Sequence, residues 1–279
     1  MIRIVTDTAS DMTLDETQPM GIDRVPLQTS FEDGICPMDT AADYDRFYAK
    51  LRSSEKLPIT SRPSPELYLN IFQEAKAAGD DVLVLSLSSG LSSTIESAHL
   101  AKEMACYDKI TIIDTEQAVM SQRILVEHAV QLRDAGKDIQ EIIASVLDLR
   151  SRVCVLGVIG SMLYLKKGGR VPPAMALIGD MLGIKPVITV EEKVIKPIGK
   201  ARGMKSGISM LYKFMEQRGM DHRYPAYFGY TSDREMGEKF MQDTMVRYGI
   251  TEAKLCQVSG IIGTHLGTDS VGLAFIAKQ

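Results

Sequence analysis

The chain has 279 residues, 45% hydrophobic and 24% charged, with a net charge of −4. This length permits one large or two ordinary domains with a substantial core, and the composition is that of a globular protein. No basic run argues for nucleic-acid binding, and the longest apolar tract, Val153 to Leu165, is too short for a membrane span and is interrupted by glycines and a serine.

Ile2 to Val5 reads as a strand that ends at Thr6-Asp7-Thr8. It starts without the apolar core of a signal peptide. The four cysteines, Cys36, Cys106, Cys154 and Cys256, lie far apart with no metal-ligand spacing. Both features set the expectation of a cytoplasmic protein with reduced thiols. Ala41 to Ser53 reads as a helix. Thr60-Ser61 then precedes Pro63, either as a helix-entry turn or as a hydroxyl loop facing a ligand. Ser64 as N-cap and Pro65 at the first helical position open a helix to Ala78.

Asp81 to Ser86 is a strand, and Ser93 to Ala105 a helix. Between them, Ser88-Ser89-Gly90-Leu91-Ser92-Ser93-Thr94 carries five hydroxyls and no cation. A strand, a loop of small donors and a helix N-terminus make a good anion site, suited to a carboxylate or a single phosphate. The same residues contain Ser93-Thr94-Ile95-Glu96, a capping-box pattern that does no more than start a helix. Both readings stand at this point.

Lys109 to Asp114 reads as a strand, Ser121 to Ala135 and Ile139 to Arg150 as helices, and Val153 to Ile159 as a strand. Alternating strands and helices predict a parallel sheet with ligands at the carboxyl ends of its strands. From Leu165 the pattern changes. Gly168-Gly169-Arg170 opens a loop, and Met175 to Leu182 is a short apolar helix. Pro186 to Val190 and Val194 to Pro197 form a hairpin around Glu191-Glu192-Lys193. Helices at Gly203 to Arg218 and Arg234 to Tyr248 alternate with strands at Ala226 to Tyr230, Ala253 to Val258 and Val271 to Ile276. The expected fold is α/β with two domains. Residues 1–160 carry the parallel sheet and the hydroxyl loop, and residues 161–279 a mixed or antiparallel sheet, with an extensive interface between them.

Enzyme signatures are absent: no G-x-S-x-G, no G-x-G-x-x-G after a strand, no H-E-x-x-H. His265 sits between glycines in Gly263-Thr264-His265-Leu266-Gly267, as a turn residue or as a donor to a ligand anion. Arg170 and Arg202 are surface charges or docking points for an anionic partner. Sixteen methionines and no tryptophan suit core filling. Met162, Met175, Met181, Met204 and Met210 also fall in one segment, as the wall of an adaptable lipid pocket would.

These motifs resemble the DegV family of bacterial fatty-acid-binding proteins, which look like the acyl-binding subunits of bacterial fatty acid kinase. Thr6-Asp7-Thr8-Ala9-Ser10-Asp11 resembles the family's T-D-S-T-A-D, Thr60 to Pro65 its T-S-Q-P-S-P, and Ser88 to Thr94 its S-S-G-L-S-G-T. Lys167 to Arg170, Lys185-Pro186 and Arg202 fall where the family has K-G-G-R, K-P and a later arginine. His265 matches the histidine of G-x-H.

The resemblance implies a fatty acid buried between the two domains. Its carboxylate would be held by Thr60 or Ser61, by Ser92 with or without Ser93, and by His265. Its chain would be lined by Met162, Met175, Ile178, Met181 and Leu182. A partner kinase would phosphorylate the carboxylate to an acyl phosphate, with Arg170 and Arg202 serving kinase contact or the phosphoryl step. The implied protein is a monomeric carrier, not an enzyme, with the fatty acid as ligand, no cofactor, no metal, no nucleic acid and transient membrane contact. Two departures bear on the head-group end: Arg62 replaces a glutamine and Ser93 a glycine. The Leu266 to Ser270 continuation also differs, and Asp269 is expected to face solvent. The competing readings are a stand-alone enzyme using Asp7 and His265 as acid and base, and a fatty-acid-responsive regulator.

Overall fold

The structure is a computed structural model that describes residues 1–170 and 183–279. In chain order the first part comprises β1 (Ile2–Asp7), α1 (Leu14–Thr17), β2 (Ile22–Val25), β3 (Gln28–Phe31), β4 (Gly34–Cys36), α2 (Ala41–Ser53), β5 (Ile59–Ser61) and α3 (Pro65–Ala78). It continues with β6 (Asp81–Ser86), α4 (Thr94–Ala105), β7 (Ile110–Asp114), α5 (Val119–Asp134) and α6 (Ile139–Arg150). The second part comprises β8 (Val153–Val158), α7 (Met162–Gly168), β9 (Ile184–Glu191), β10 (Val194–Arg202) and α8 (Met204–Arg218). It ends with β11 (Ala226–Tyr230), α9 (Arg234–Tyr248), β12 (Ala253–Gln257), α10 (Gly260–Leu266) and β13 (Val271–Ile276).

Three sheets result. The first is parallel, in the order β2-β1-β6-β7. Its central strands read as continuous apolar runs because both faces are covered. α3 and α4 bury Tyr68, Phe72, Ala98 and Ala101 against Val5 and Val84 on one face. α5 and α6 bury Val126, Ile142 and Val146 against Ile4 and Leu83 on the other. Local chemistry sets the helix ends. Ser64 caps α3 through the Glu66 N–H, Pro65 follows, and Gly79 closes the helix at φ +73°.

The second sheet has the order β10-β9-β8-β13-β11-β12. It is mixed: β11 and β12 run parallel, while the other neighbours are antiparallel. β8, which the sequence reading sets in the first unit, pairs here with β9 and β13. α8 and α9 cover the far face with Leu211, Met215 and Phe240. The near face meets α5, so this one helix is packed between the two sheets. Its Ile124 and Leu125 join Val155, Tyr227 and Ala274 in a shared core.

A buried polar knot reinforces that joint. Glu127 accepts from Arg123 Nε at 2.7 Å and from the Tyr227 hydroxyl at 2.6 Å, and pairs with Lys254. Arg123 also reaches Glu16 at 2.6 Å. These opposed charges hold the Glu16 and Glu127 carboxyls below their ordinary range despite burial.

The third sheet, β4-β3-β5, is antiparallel and was not expected. It turns Thr60-Ser61 from an entry turn into a strand, with Thr60 opposite the buried Thr29. Two further helices stand where the sequence pattern predicts none. α7 occupies part of the apolar tract after β8, capped by Ser161. α10 replaces the glycine-flanked loop around His265. Its glycines are demanded by packing: a Cβ on Gly260 would fall 2.6 Å from the Phe47 ring, and one on Gly263 2.3 Å from the Tyr48 hydroxyl.

Candidate functional site

A cavity lies between the loops of the first part and the near face of the six-stranded sheet. Thr60, Ser92, Arg170 and His265 line it, together with an otherwise mostly apolar wall. These four arrive from four elements: β5, the loop before α4, the end of α7 and the last turn of α10. The His265 Nε2 lies 3.3 Å from Thr60 Oγ1. Burial, reinforced by the nearby Arg170 charge, pushes the His265 imidazole down to about 4. The ring is therefore neutral at pH 7, with one donor and one acceptor. Its Nδ1 is buried and, among the described residues, has no hydrogen-bond partner. The Arg170 guanidinium reaches the Leu91 carbonyl at 3.5 Å and the Gly168 carbonyl at 2.9 Å.

The hydroxyl loop divides its labour. Ser88 Oγ donates to the Lys193 carbonyl at 2.7 Å, and Ser89 Oγ to Asp114 at 2.6 Å. Lys193 Nζ pairs with the same Asp114 at 2.9 Å. Ser88 thus fastens the loop to the β9–β10 hairpin turn, and Ser89 fastens it to Asp114 at the end of β7. Gly90 lets the turn approach: a Cβ there would meet the Lys193 carbonyl at 2.5 Å. The Leu91 and Ser92 N–H groups return to the Ser88 carbonyl at 3.0 and 3.1 Å, so the loop coils on itself and does not offer them to a ligand. Ser92 Oγ, paired with Thr94 Oγ1 at 2.9 Å, is the loop hydroxyl among the cavity-lining residues.

The capping box is not formed. Ser93 precedes α4 without a side-chain cap, is exposed, and does not line the cavity. Glu96 pairs with Arg62 at 2.6 Å instead. Ser61 is exposed beside Gln28, and Arg202 is exposed at the end of β10; neither lines the cavity. Met162 is buried with Leu165 behind Ile159 and Ile188, which do line it. Met175, Ile178, Met181 and Leu182 lie outside the described residues, as does the apolar helix expected from Met175 to Leu182. Asp269 points outward and meets Arg52 and Ser232, each at 3.1 Å.

Asp7 and His265 are not brought together. The Asp7 carboxylate is buried behind the loop, held by the Leu87 N–H at 2.8 Å, the Ala9 N–H at 3.1 Å and Gln122 at 3.1 Å. Burial raises its pKa against those bonds. It ties β1 to β6 and does not line the cavity.

The apolar floor rests on glycines that the sequence reading passed over. Gly229 of β11 pairs with Gly272 of β13, which pairs with Gly157 of β8. Side chains on one face of a sheet come from such directly opposed positions. The near face therefore has a row without side chains, about 10 Å across two strand spacings. Met120, from the first turn of α5, lies over it: a Cβ on Gly229 would fall 2.4 Å from its Sδ, and one on Gly272 3.2 Å from its Cε. Next to it, Val119 lines the cavity at φ +51°, a costly backbone state for a β-branched residue. The available signal was a lone glycine inside each of three strand patterns, which marks close approach of another group.

Among the described residues no helix is long and apolar enough to cross a membrane. No group of three or more His, Cys, Asp or Glu among them could hold a metal ion.

Fold and cavity together define an α/β protein in which the six-stranded sheet and the loops packed on it enclose an amphipathic pocket, with Thr60, Ser92, Arg170 and His265 at its head and a mostly apolar wall that also carries Thr189, Thr231 and Ser270. The chain belongs to the DegV family: the family described as "Uncharacterised protein, DegV family" matches residues 1–278. A DegV domain-containing protein of Caldanaerobacter subterraneus subsp. tengcongensis is 30% identical over 292 residues, covering 99% of each chain. Among solved structures, a Thermus thermophilus DegV family protein described for its fatty acid binding is 28% identical, with a TM-score of 0.89 over 99% of each chain. A Streptococcus pneumoniae fatty acid kinase B3 protein loaded with linoleic acid shares the fold, with a TM-score of 0.86 over 100% of each chain at 20% identity.

Proposed function

We propose that this protein binds a long-chain fatty acid in the cavity and presents its carboxylate to a partner kinase, which makes the acyl phosphate. The observation that carries the reading is the division of the cavity into a head of Thr60, Ser92, Arg170 and His265 and an apolar floor over the glycine row. The carboxylate would take hydrogen bonds from the two hydroxyls and from His265 Nε2, with Arg170 supplying charge. A buried carboxylate without such donors would protonate. Each buried methylene contributes about 0.8 kcal/mol, so a long chain supplies on the order of 10 kcal/mol gross. That favours retention and suits a carrier. The head group holds no activated nucleophile, and Asp7 is committed elsewhere, so phosphoryl chemistry falls to the partner. The fatty acid binding for which the Thermus thermophilus relative is described supports the ligand; the kinase partner rests on the motif resemblance.

The test is mass spectrometry of lipids released from the purified protein, followed by incubation with a fatty acid kinase and ATP. A stoichiometric long-chain fatty acid, converted to acyl phosphate only when the kinase is present, is expected. Folded protein that carries no lipid and takes up no added fatty acid would overturn the reading.

A further inference from the structure

We propose that Gly168 is a positioning residue for His265, and that the missing side chain at 168 sets the depth and orientation at which the imidazole faces the cavity. A Cβ on Gly168 would lie 2.2 Å from His265 Nδ1, 3.1 Å from Cε1 and 3.3 Å from Cγ. The ring edge therefore rests directly on the last residue of α7. Its opposite edge is the one that meets Thr60, through Nε2 at 3.3 Å. The imidazole is gripped between a bare backbone and a hydroxyl. Among the described residues Nδ1 has no hydrogen-bond partner to fix the ring, and steric contact does the orienting.

The two glycines of Lys167-Gly168-Gly169-Arg170 then have different causes. Gly169 takes a left-handed φ of +69° as the cap of α7, and an added Cβ would meet nothing within 4 Å. Gly168 has no such backbone demand: its φ is not in the left-handed region. An alanine there would suit the helix better, since glycine in a helix costs roughly 0.5–1 kcal/mol relative to alanine. A glycine where alanine is locally preferred, with a histidine edge at contact distance, is explained by the histidine. His265 has little room to yield, because α10 is itself pinned. Gly267 lies against the Tyr164 ring, where a Cβ would fall 2.0 Å from Cδ2, and Gly263 lies against the Tyr48 hydroxyl.

This inference rests on the fatty-acid reading of the site, and the experiment separates the two. Gly168→Ala, His265→Ala and the double variant are compared for affinity toward oleate and for thermal midpoint. The His265 ring-proton titration is followed by NMR in the wild type and in Gly168→Ala. Gly168→Ala is expected to fold with a thermal midpoint lowered by the clash, which the double variant relieves, to lose about tenfold or more in oleate affinity, and to move the His265 titration. The double variant should bind no more weakly than His265→Ala alone, because Gly168 acts through that ring. Wild-type affinity with an unmoved titration in Gly168→Ala would overturn the proposal, as would additive losses in the double variant. If the wild type binds no fatty acid, the carrier reading fails, and the His265 titration still decides whether residue 168 positions the ring.

Discussion

Gly229→Ala tests the cavity floor. The new Cβ would fall 2.4 Å from Met120 Sδ and 2.7 Å from Cε. Both atoms are the far end of a flexible side chain, so the methionine yields while the strand stays in place. The strand cannot move without losing its pairing to β12 and β13. The Met120 tip would swing along the row toward Gly157 and take space from the ligand. Two displaced heavy atoms exclude roughly two methylenes, about 1.6 kcal/mol or fifteenfold in affinity for the longest chains. Shorter chains that never reach the row should bind as before. The assay is competition binding across a series of saturated fatty acids, read beside the thermal midpoint. A uniform loss at every chain length would mean general damage. Unchanged affinity for the longest chains in a folded variant would refute the account of the floor.

Other consequences can be checked separately. Acid should destabilise the ligand-free protein through His265. Its folded value of about 4 lies below the ordinary 6.5, so the unfolded chain takes the proton first. The penalty is absent above pH 6.5, grows as pH falls, and reaches about 3 kcal/mol below pH 4; His265→Gln should remove that part of the urea-midpoint profile against pH. Gly90→Ala should cost roughly 1–3 kcal/mol, because its Cβ meets the Lys193 backbone carbonyl and not a yielding side chain; calorimetry reads this directly. Glu127→Ala should cost about 3–5 kcal/mol by leaving Arg123 short of a buried partner, and Glu127→Gln, which keeps the shape, should cost less in the same melts.

Legibility from the sequence followed local chemistry. α3 was readable because Ser64, Pro65 and the terminal Gly79 each mark an end. β6 was readable because burial on both faces leaves an apolar run. The short strands β2, β3 and β4 carry too few residues for a period to show. α10 was hidden because Gly260 and Gly263 weaken helix propensity. Those glycines answer to Phe47 and Tyr48, more than two hundred residues away, and no local pattern carries that. Thr60, Ser92, Arg170 and His265 were legible as motif residues, but Ser61 and Ser93 could not be told from their neighbours without knowing which way β5 and the loop turn. The glycine row depends on the register of three adjacent strands of the second sheet that lie far apart in the sequence.

The pairing of β8 with β13 has a consequence for how the protein is made. Residues 153–158 find their neighbour in residues 271–276, so the floor of the cavity closes only once β13, more than a hundred residues further along the chain, has emerged. Until then the face of α5 that carries Ile124 and Leu125 lacks Ala274 and Ile276, the β13 members of its shared core. The late pairing closes a long loop and is intrinsically slow. A chain cut before β13 would keep the parallel sheet and lose the central strand that joins β8 to β11, and with it the floor of the cavity. Such a product is conspicuous to chaperones and proteases, and incapable of holding a ligand it could not protect.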